Sequence, residues 1–283
     1  MIKKTAAAET LFFLSALVSV LLTLAILGFM LYFGLPLIKD KEFINLISLT
    51  WNPGKGFYGI RPMIAGTLII SGLSVIIAFP VSLGSSFLIS VLAPKAFADF
   101  FRKVIQLMTG IPTVIYGFVG VFLLVPVIRG LFQAGSGMCV LTASLMLAIL
   151  IAPTMILFFT DSFDRVPLSY LQAADSLGAS KVQKLLYIIL PCSRSGICSG
   201  VILAMGRALG DTLIALMLAG NAVQIPATFS DSARTLTSHI ALVIASDYES
   251  PEFKSLFTCG MILYGFTALE VLMLRALNMS REK

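Results

Sequence analysis

The chain has 283 residues, of which 58% are hydrophobic and 12% charged, with a mean hydropathy of +0.98. Soluble domains carry roughly a quarter charged residues, so this composition excludes an ordinary water-soluble globule and predicts a chain surrounded by lipid. The net charge of +6 does not point to nucleic acid, because the basic residues follow a membrane topology.

A crossing needs roughly 20 apolar residues. Six apolar stretches, 11–37, 64–92, 105–128, 137–159, 195–220 and 255–274, therefore predict an all-α membrane protein with six transmembrane helices. Residues 1–63 are read as an N-terminal tail, the first transmembrane helix and a polar outer segment. Residues 64–275 form the main transmembrane domain, and 276–283 a cytoplasmic tail. The first stretch is too long for a signal-peptide core and has no A-x-A-like site after it, so it is expected as a retained anchor. Its plain Leu, Val and Phe content suits a peripheral helix facing lipid. The outer segment, 38–63, contains TWNPGKGFYGIRP, whose Pro and Gly predict turns and short extended pieces.

Lys and Arg in the loops set the orientation. With the N-terminus inside, twelve basic residues lie on the inner side and seven on the outer, with Arg207 left within a span. Both termini are then cytoplasmic. In span two, Gly66, Gly72, Pro80 and Gly84 are expected to interrupt the helix. Span three opens QLMTGIPTVIYGFVG, with Gly110, Pro112, Gly117 and Gly120 close together. Freed backbone groups cannot face lipid, so such breaks mark a helix lining a water-filled path; the alternative is close packing through small residues. Span two leaves both open, whereas Gly110, Pro112 and Gly117 in span three are read as pathway breaks.

In the outer loop 221–254, Leu236, Ile240, Leu242 and Val243 form one apolar face of a short interfacial or re-entrant helix. The single histidine, His239, is expected there as a solvated or interfacial residue, because no second His or nearby Cys completes a metal site. The four cysteines, Cys139, Cys192, Cys198 and Cys259, have no zinc-ligand pattern and are expected as reduced packing residues. The chain contains no P-loop, no G-x-S-x-G elbow and no H-E-x-x-H pair, so no catalytic residue and no metal is expected.

Between spans four and five, residues 160–194 include YLQAADSLGASKVQKLLYIILP. Pro167 suits the first turn of a helix. Leu168, Tyr170, Leu171 and Ala174 give a helical stripe that ends at Gly178, a C′ residue. Ser180 and Gln183 form a capping-box pattern opening a second helix. That helix carries Val182, Leu185, Leu186 and Ile189 on one side and stops at Pro191. Periodicity alone leaves two readings, a docking element or an interfacial hairpin without a partner.

Ala173, Ala174, Gly178, Ile188, Leu190 and Pro191 match the spacing of, and so resemble, the EAA loop of ABC importer permease subunits. Gln172 stands where that motif has Glu. The stretches TWNP, YGIRPMIAGTL, GIPTVIYGFVGVFLLVP, LAILIAPTMILFFTDSF and GRALGDTLIALMLAGN are similar, in order, to the PstC-type permease family of phosphate importers. The resemblance implies a type I ABC importer permease fold with a cytoplasmic coupling-helix (EAA) loop, in the inner membrane. It implies that Ser169, Tyr170, Gln172, Ala173, Ala174, Asp175 and Gly178 contact an ATPase subunit. It also implies four kinds of partner: a PstA-like sister permease, two PstB-like ATPase subunits, a PstS-like extracytoplasmic phosphate-binding protein, and phosphate as substrate. ATP and Mg would be held by the ATPase, leaving no cofactor in this chain.

Arg207 and Asp211 stand four apart, so a continuous helix places them on one face, in a stripe of Gly196, Gly200, Ala204, Arg207, Asp211 and Ala215. A charge at the bilayer centre costs about 2.5–3.5 kcal/mol on insertion scales, so it should face the bundle interior or a cavity. One reading is a structural ion pair. The other is an oxyanion station, in which Arg207 supplies a fork of donors and Asp211 accepts the proton that phosphate, unlike sulfate, still carries near neutral pH. The resemblance associates this Arg with transport and shows Asp211 in place of the commoner Glu. Rival readings are a permease for another oxyanion (sulfate, molybdate or phosphonate) and an ion-coupled secondary carrier with Asp211 as the proton site.

Overall fold

The computed structural model describes residues 2–39, 51–132, 135–247 and 250–279. In chain order its elements are α1 (Ile2–Lys39), a two-stranded antiparallel hairpin of β1 (Trp51–Asn52) and β2 (Phe57–Tyr58), α2 (Arg61–Leu92) and α3 (Lys95–Thr109). There follow α4 (Thr113–Phe132), α5 (Val140–Asp164), α6 (Leu168–Ser176), α7 (Lys181–Cys192) and α8 (Arg194–Gly210). The last three are α9 (Leu213–Leu218), α10 (Leu236–Val243) and α11 (Pro251–Met279). Among the described residues, five helices are long and apolar enough to cross a membrane, and α8, which meets α7 at a 68° bend at Ser193, belongs to a sixth apolar stretch. The 17 residues of α8 rise about 26 Å, short of a hydrocarbon core of roughly 30 Å, and α9 completes the crossing.

The bundle is built around α5. Val140, Ala143, Leu147, Ile151, Met155 and Phe159 are buried in the main core with residues of α2, α4, α8 and α9. The buried face of α2 carries Met63 and Ile70 and, beside them, Thr67, Ser71, Ser74, Ala78, Ser82 and Ser86, a row of small residues at helical spacing. Small side chains let two backbones approach closely, and in lipid that van der Waals contact, not the hydrophobic effect, holds helices together. The hydroxyls do not go unpaired. Ser71 and Ser74 donate to carbonyls one turn back, Ser82 donates to Ala152 O on α5, and Ser144 of α5 donates to Ile70 O. Span two is therefore a continuous packed helix. Gly66, Gly72, Pro80 and Gly84 do not interrupt it, contrary to expectation; only a π-helical turn at Leu88–Leu92 departs from α geometry.

The predicted third span begins later than expected. Residues 95–109 form a separate amphipathic helix, pinned by a two-pronged contact of Arg102 with Asp164 at 2.7 and 3.2 Å. The crossing itself starts at Thr113, after a break at Gly110–Pro112. Over residues 9–32 α1 is largely exposed, and it meets the rest through α11, where Phe33 stacks on Phe257 and Met30 covers Gly260. It is helical from Ile2, so the expected N-terminal tail is already part of the helix. The extended pieces expected in 38–63 are the hairpin at Trp51–Tyr58; residues 40–50 lie outside the described residues, as do 280–283 of the expected tail.

A second, smaller core closes the hairpin end: Trp51, Ile60, Met63, Leu236, Val243, Leu256 and Cys259. The expected short helix in the outer loop is α10, opened by a capping box between Thr235 and Ser238. His239 is wholly buried there, not solvated. Its ring meets Trp51 edge-on at 4.4 Å, and Nε2 lies 3.2 Å from Ser255 Oγ. Alternation of polar and apolar residues could not show this, because the face of α10 that carries His239 is covered by Trp51 of the hairpin and by Ser255 of α11, which lie far away along the chain. All four cysteines are free, but Cys192 and Cys198 are exposed, so only Cys139 and Cys259 are packing residues.

Candidate functional site

The loop between α5 and α8 folds as two short helices around one glycine. α6 ends in a complete Schellman turn: Ala179 N–H donates to Ala174 O at 3.0 Å, and Gly178 N–H to Asp175 O at 2.9 Å. That turn needs a left-handed residue, and Gly178 has φ +74° with open space around it. Ser180 then caps α7, with Gln183 returning the bond to its backbone N–H at 2.8 Å. Asp175 and Lys184, 2.6 Å apart, tie the two helices together. Ser169, Tyr170, Gln172, Ala173, Asp175 and Gly178 are all exposed, while Ala174 is buried. Leu177 is 88% exposed and Leu168 72%. α7 buries Leu185 and Ile189 but leaves Val182 and Leu186 outside, so the expected apolar face is split. It runs one residue past Pro191 and, at the buried Ser193, turns into α8.

α8 carries Arg207, but Arg207 and Asp211 do not share a helix face. The helix ends at Gly210, and Asp211 is extended (φ −72°, ψ 127°). Its carboxylate instead accepts the Ile214 N–H at 2.9 Å, capping α9, while Thr237 Oγ1 donates to its backbone carbonyl at 2.8 Å. Among the described residues there are three ion pairs, Arg102–Asp164, Arg165–Asp161 and Lys184–Asp175, and Arg207–Asp211 is not one of them. Arg207 Nη1 donates to Thr154 Oγ1 of α5 at 2.9 Å. Among the described residues nothing else accepts a hydrogen bond from the guanidinium, and the group is half-buried inside the bundle. The small-residue stripe below it is a packing seam. A Cβ on Gly196 would strike Ser162, and one on Gly200 would lie 2.9 Å from Phe159.

Of the pathway breaks read in span three, Gly110 and Pro112 do break the chain, forming the turn between α3 and α4. Gly117 does not, because it sits within α4, where an added Cβ would lie 2.6 Å from Met217 Sδ of α9. Its role in this structure is close packing. Glu270 of α11 was not singled out by sequence reasoning. Its carboxylate lies against Gly206, the neighbour of Arg207, and its buried Oε1 has no hydrogen-bond partner. The signal was present, since Glu270 is the sole acidic residue in the apolar stretch 255–274. Among the described residues no cluster of His, Cys, Asp or Glu could hold a metal.

Residues 78–274 match the sequence model of the family described as binding-protein-dependent transport system inner membrane component. The chain is 33% identical to the phosphate transport system permease protein PstC of Xylella fastidiosa (strain Temecula1), over 98% of this chain and 90% of that one. It is 32% identical to the probable ABC transporter permease protein YqgH of Bacillus subtilis, over 84% and 78% of the two chains. Among solved structures, it superposes on a chain of the bacterial alginate ABC transporter in complex with an alginate pentasaccharide-bound periplasmic protein. That match has a TM-score of 0.59 at 15% identity, covering 94% of each chain. A chain of the inward-facing MetNI methionine ABC transporter gives a TM-score of 0.57 at 15% identity, over 75% of this chain and 93% of that one. At such identity these structures speak for the fold, the type I importer permease arrangement.

Proposed function

The chain belongs to the binding-protein-dependent transport system inner membrane component family, and from that membership we propose that it is the membrane-spanning permease subunit of an ATP-driven phosphate importer, forming half of the translocation pathway. The observation that carries the phosphate reading is the 33% identity to a phosphate transport permease over 98% of the chain. It is a multi-pass membrane protein whose work is transport; ATP, with Mg, is hydrolysed on partner ATPase subunits. The complex contains this subunit, a PstA-like sister permease, two PstB-like ATPases and a PstS-like extracytoplasmic phosphate-binding protein. Both termini and the α6–α7 hairpin face the cytoplasm of the inner membrane, a reading supported by the twelve-to-seven bias of basic residues.

The geometry suggests how the two ends communicate. The exposed side of α6, with Ser169, Tyr170, Gln172, Ala173 and Asp175, seats on the ATPase, and Ala174 lets α7 approach it closely. The Asp175–Lys184 contact makes α6 and α7 one body, and α7 continues through Ser193 into α8. Displacement of α6 by the ATPase is then delivered to Arg207 without an intervening flexible loop. Arg207 offers charge-assisted donors to an oxyanion. Asp211, with one oxygen engaged by the Ile214 N–H, keeps an acceptor for the proton of phosphate and repels fully ionised sulfate.

Uptake of labelled phosphate by vesicles containing the whole complex, with wild-type and hydrolysis-deficient ATPase subunits, tests this reading. Uptake should require hydrolysis and resist competition by sulfate. Phosphate uptake that persists with dead ATPase subunits would replace the importer with an ion-coupled carrier. Sulfate uptake without phosphate uptake would replace the substrate.

A further inference from the structure

At the hairpin end, opposite the α6–α7 turn, the bundle opens into a cavity of about 700 Å³ walled by Trp51, Asn52, Pro62, Val223, Gln224 and Arg234. Among the described residues Arg234 is its one charged wall residue. Its Nε donates to Asn221 O at 3.0 Å, and no carboxylate pairs with it among the described residues. The carboxylate nearest in sequence, Asp231, is consumed by its own turn. It accepts the Ala227 and Thr228 N–H groups at 2.8 Å and the Thr228 hydroxyl at 2.9 Å. These bonds hold Asp231 below the usual carboxylate range, and it stays with them.

The Arg234 backbone is fixed. Its carbonyl lies directly on Gly66, where no Cβ could fit, and the Leu236 N–H two residues on donates to Thr67 Oγ1 at 2.8 Å. The carbonyl that receives Nε belongs to Asn221, itself in a left-handed conformation (φ 57°) with Nδ2 donating to Leu216 O at 2.7 Å. Arg234 is thus tied to the end of α9, whose start is capped by Asp211, and Thr237, one turn further on, clamps Asp211 O. The wall is largely apolar, with Pro53 and Ile225 beside Trp51, Pro62 and Val223, so the guanidinium is the one cation facing the opening among the described residues. Held rigidly there it concentrates anions, and the part of its fork not bonded to Asn221 matches a tetrahedral oxyanion.

We propose that Arg234 is a receiving station for the transported oxyanion at the hairpin-end mouth, with the Asn52 and Gln224 carboxamides on the same wall, upstream of Arg207. The inference rests on the importer reading above. The cavity exceeds a bare phosphate, so the anion is held there with part of its water, weakly enough to move on.

The test is phosphate uptake by the reconstituted whole complex at saturating loaded binding protein, with melting and co-purification checked for each variant. Loss of one charge-assisted contact should lower the uptake rate about tenfold in Arg234→Gln. Arg234→Lys should retain most of it, and rising salt should bring the wild type down towards the Gln variant. Gln224→Glu places a counter-charge in the cavity without touching the bond to Asn221, and should imitate Arg234→Gln. Normal uptake by both Arg234→Gln and Gln224→Glu overturns the proposal. So does equal failure of Arg234→Gln and Arg234→Lys, which would reduce Arg234 to a brace for Asn221. If the wild type moves sulfate and not phosphate, the substrate reading falls, and the same contrast measured on sulfate still decides the role of Arg234.

Discussion

Arg207 and Asp211 look like an i, i+4 ion pair on paper, and a single turn of backbone undoes it. Gly210 ends α8, Asp211 goes extended, and its carboxylate caps α9. Among the described residues the guanidinium makes no ion pair with Asp211 and keeps donors beyond the one given to Thr154. Arg207→Ala should leave the subunit assembled with its partners while phosphate uptake falls at least about tenfold; full uptake by that variant in a transport assay would reduce Arg207 to a packing residue. His239 makes a pH prediction. Burial, with the charge of Arg234 adding to it, pushes its pKa from 6.5 down to about 4. Between those values the unfolded chain binds a proton that the folded chain refuses, so stability falls as pH drops from 6.5 towards 4. The full loss is up to about 3 kcal/mol. Melting of the purified complex at pH 7 and pH 5 should show the drop, and His239→Leu should flatten it.

At the scale of elements, the α6–α7 hairpin was the most legible piece of the chain. Its caps are local chemistry: Ser180 and Gln183 bond each other across one turn, and Gly178 serves a backbone conformation that few other residues tolerate. Leu in the left-handed region costs about 1–2 kcal/mol, and Asn much less. Nothing crowds Gly178, so the backbone alone should decide. Gly178→Leu should lose ATPase co-purification or uncouple hydrolysis from uptake, whereas Gly178→Asn should retain both. Normal uptake and co-purification in the Leu variant would sink the docking role. Gly66 of α2 and Gly117 of α4 were misread as breaks for a complementary reason. A glycine in a membrane helix reads identically whether it bends the helix or admits a neighbour, and only the neighbour, Arg234 for Gly66 or Met217 for Gly117, tells which.

At the scale of the whole molecule, one continuous run from α6 to α9 links an exposed turn at one end to Arg207 and Asp211 in the interior, and α10 then ties Asp211 to the Arg234 cavity at the other end. The orientation of that axis is open to a thiol test. Cys192, at the end of α7, is exposed, while Cys139 and Cys259 are buried. With Cys198 replaced by Ser, a membrane-impermeant maleimide should label Cys192 in inverted vesicles and not in right-side-out ones. The opposite pattern would reverse the topology.

By itself the sequence determined that the chain spans a membrane with about six helices, that a capped helix–glycine–helix hairpin lies between the fourth and fifth crossings, and that a charge sits inside the fifth. Each rests on composition, on hydropathy over some 20 residues, or on bonds within one helical turn. Tertiary structure alone decided which glycines pack and which break, that His239 is buried, that Asp211 leaves Arg207 unpaired, and that Glu270 and Arg234 occupy positions of consequence. These outcomes depend on partners distant along the chain, such as Thr154 for Arg207 and Trp51 for His239. In a chain this apolar, hydropathy marks what enters the membrane but not which faces meet there.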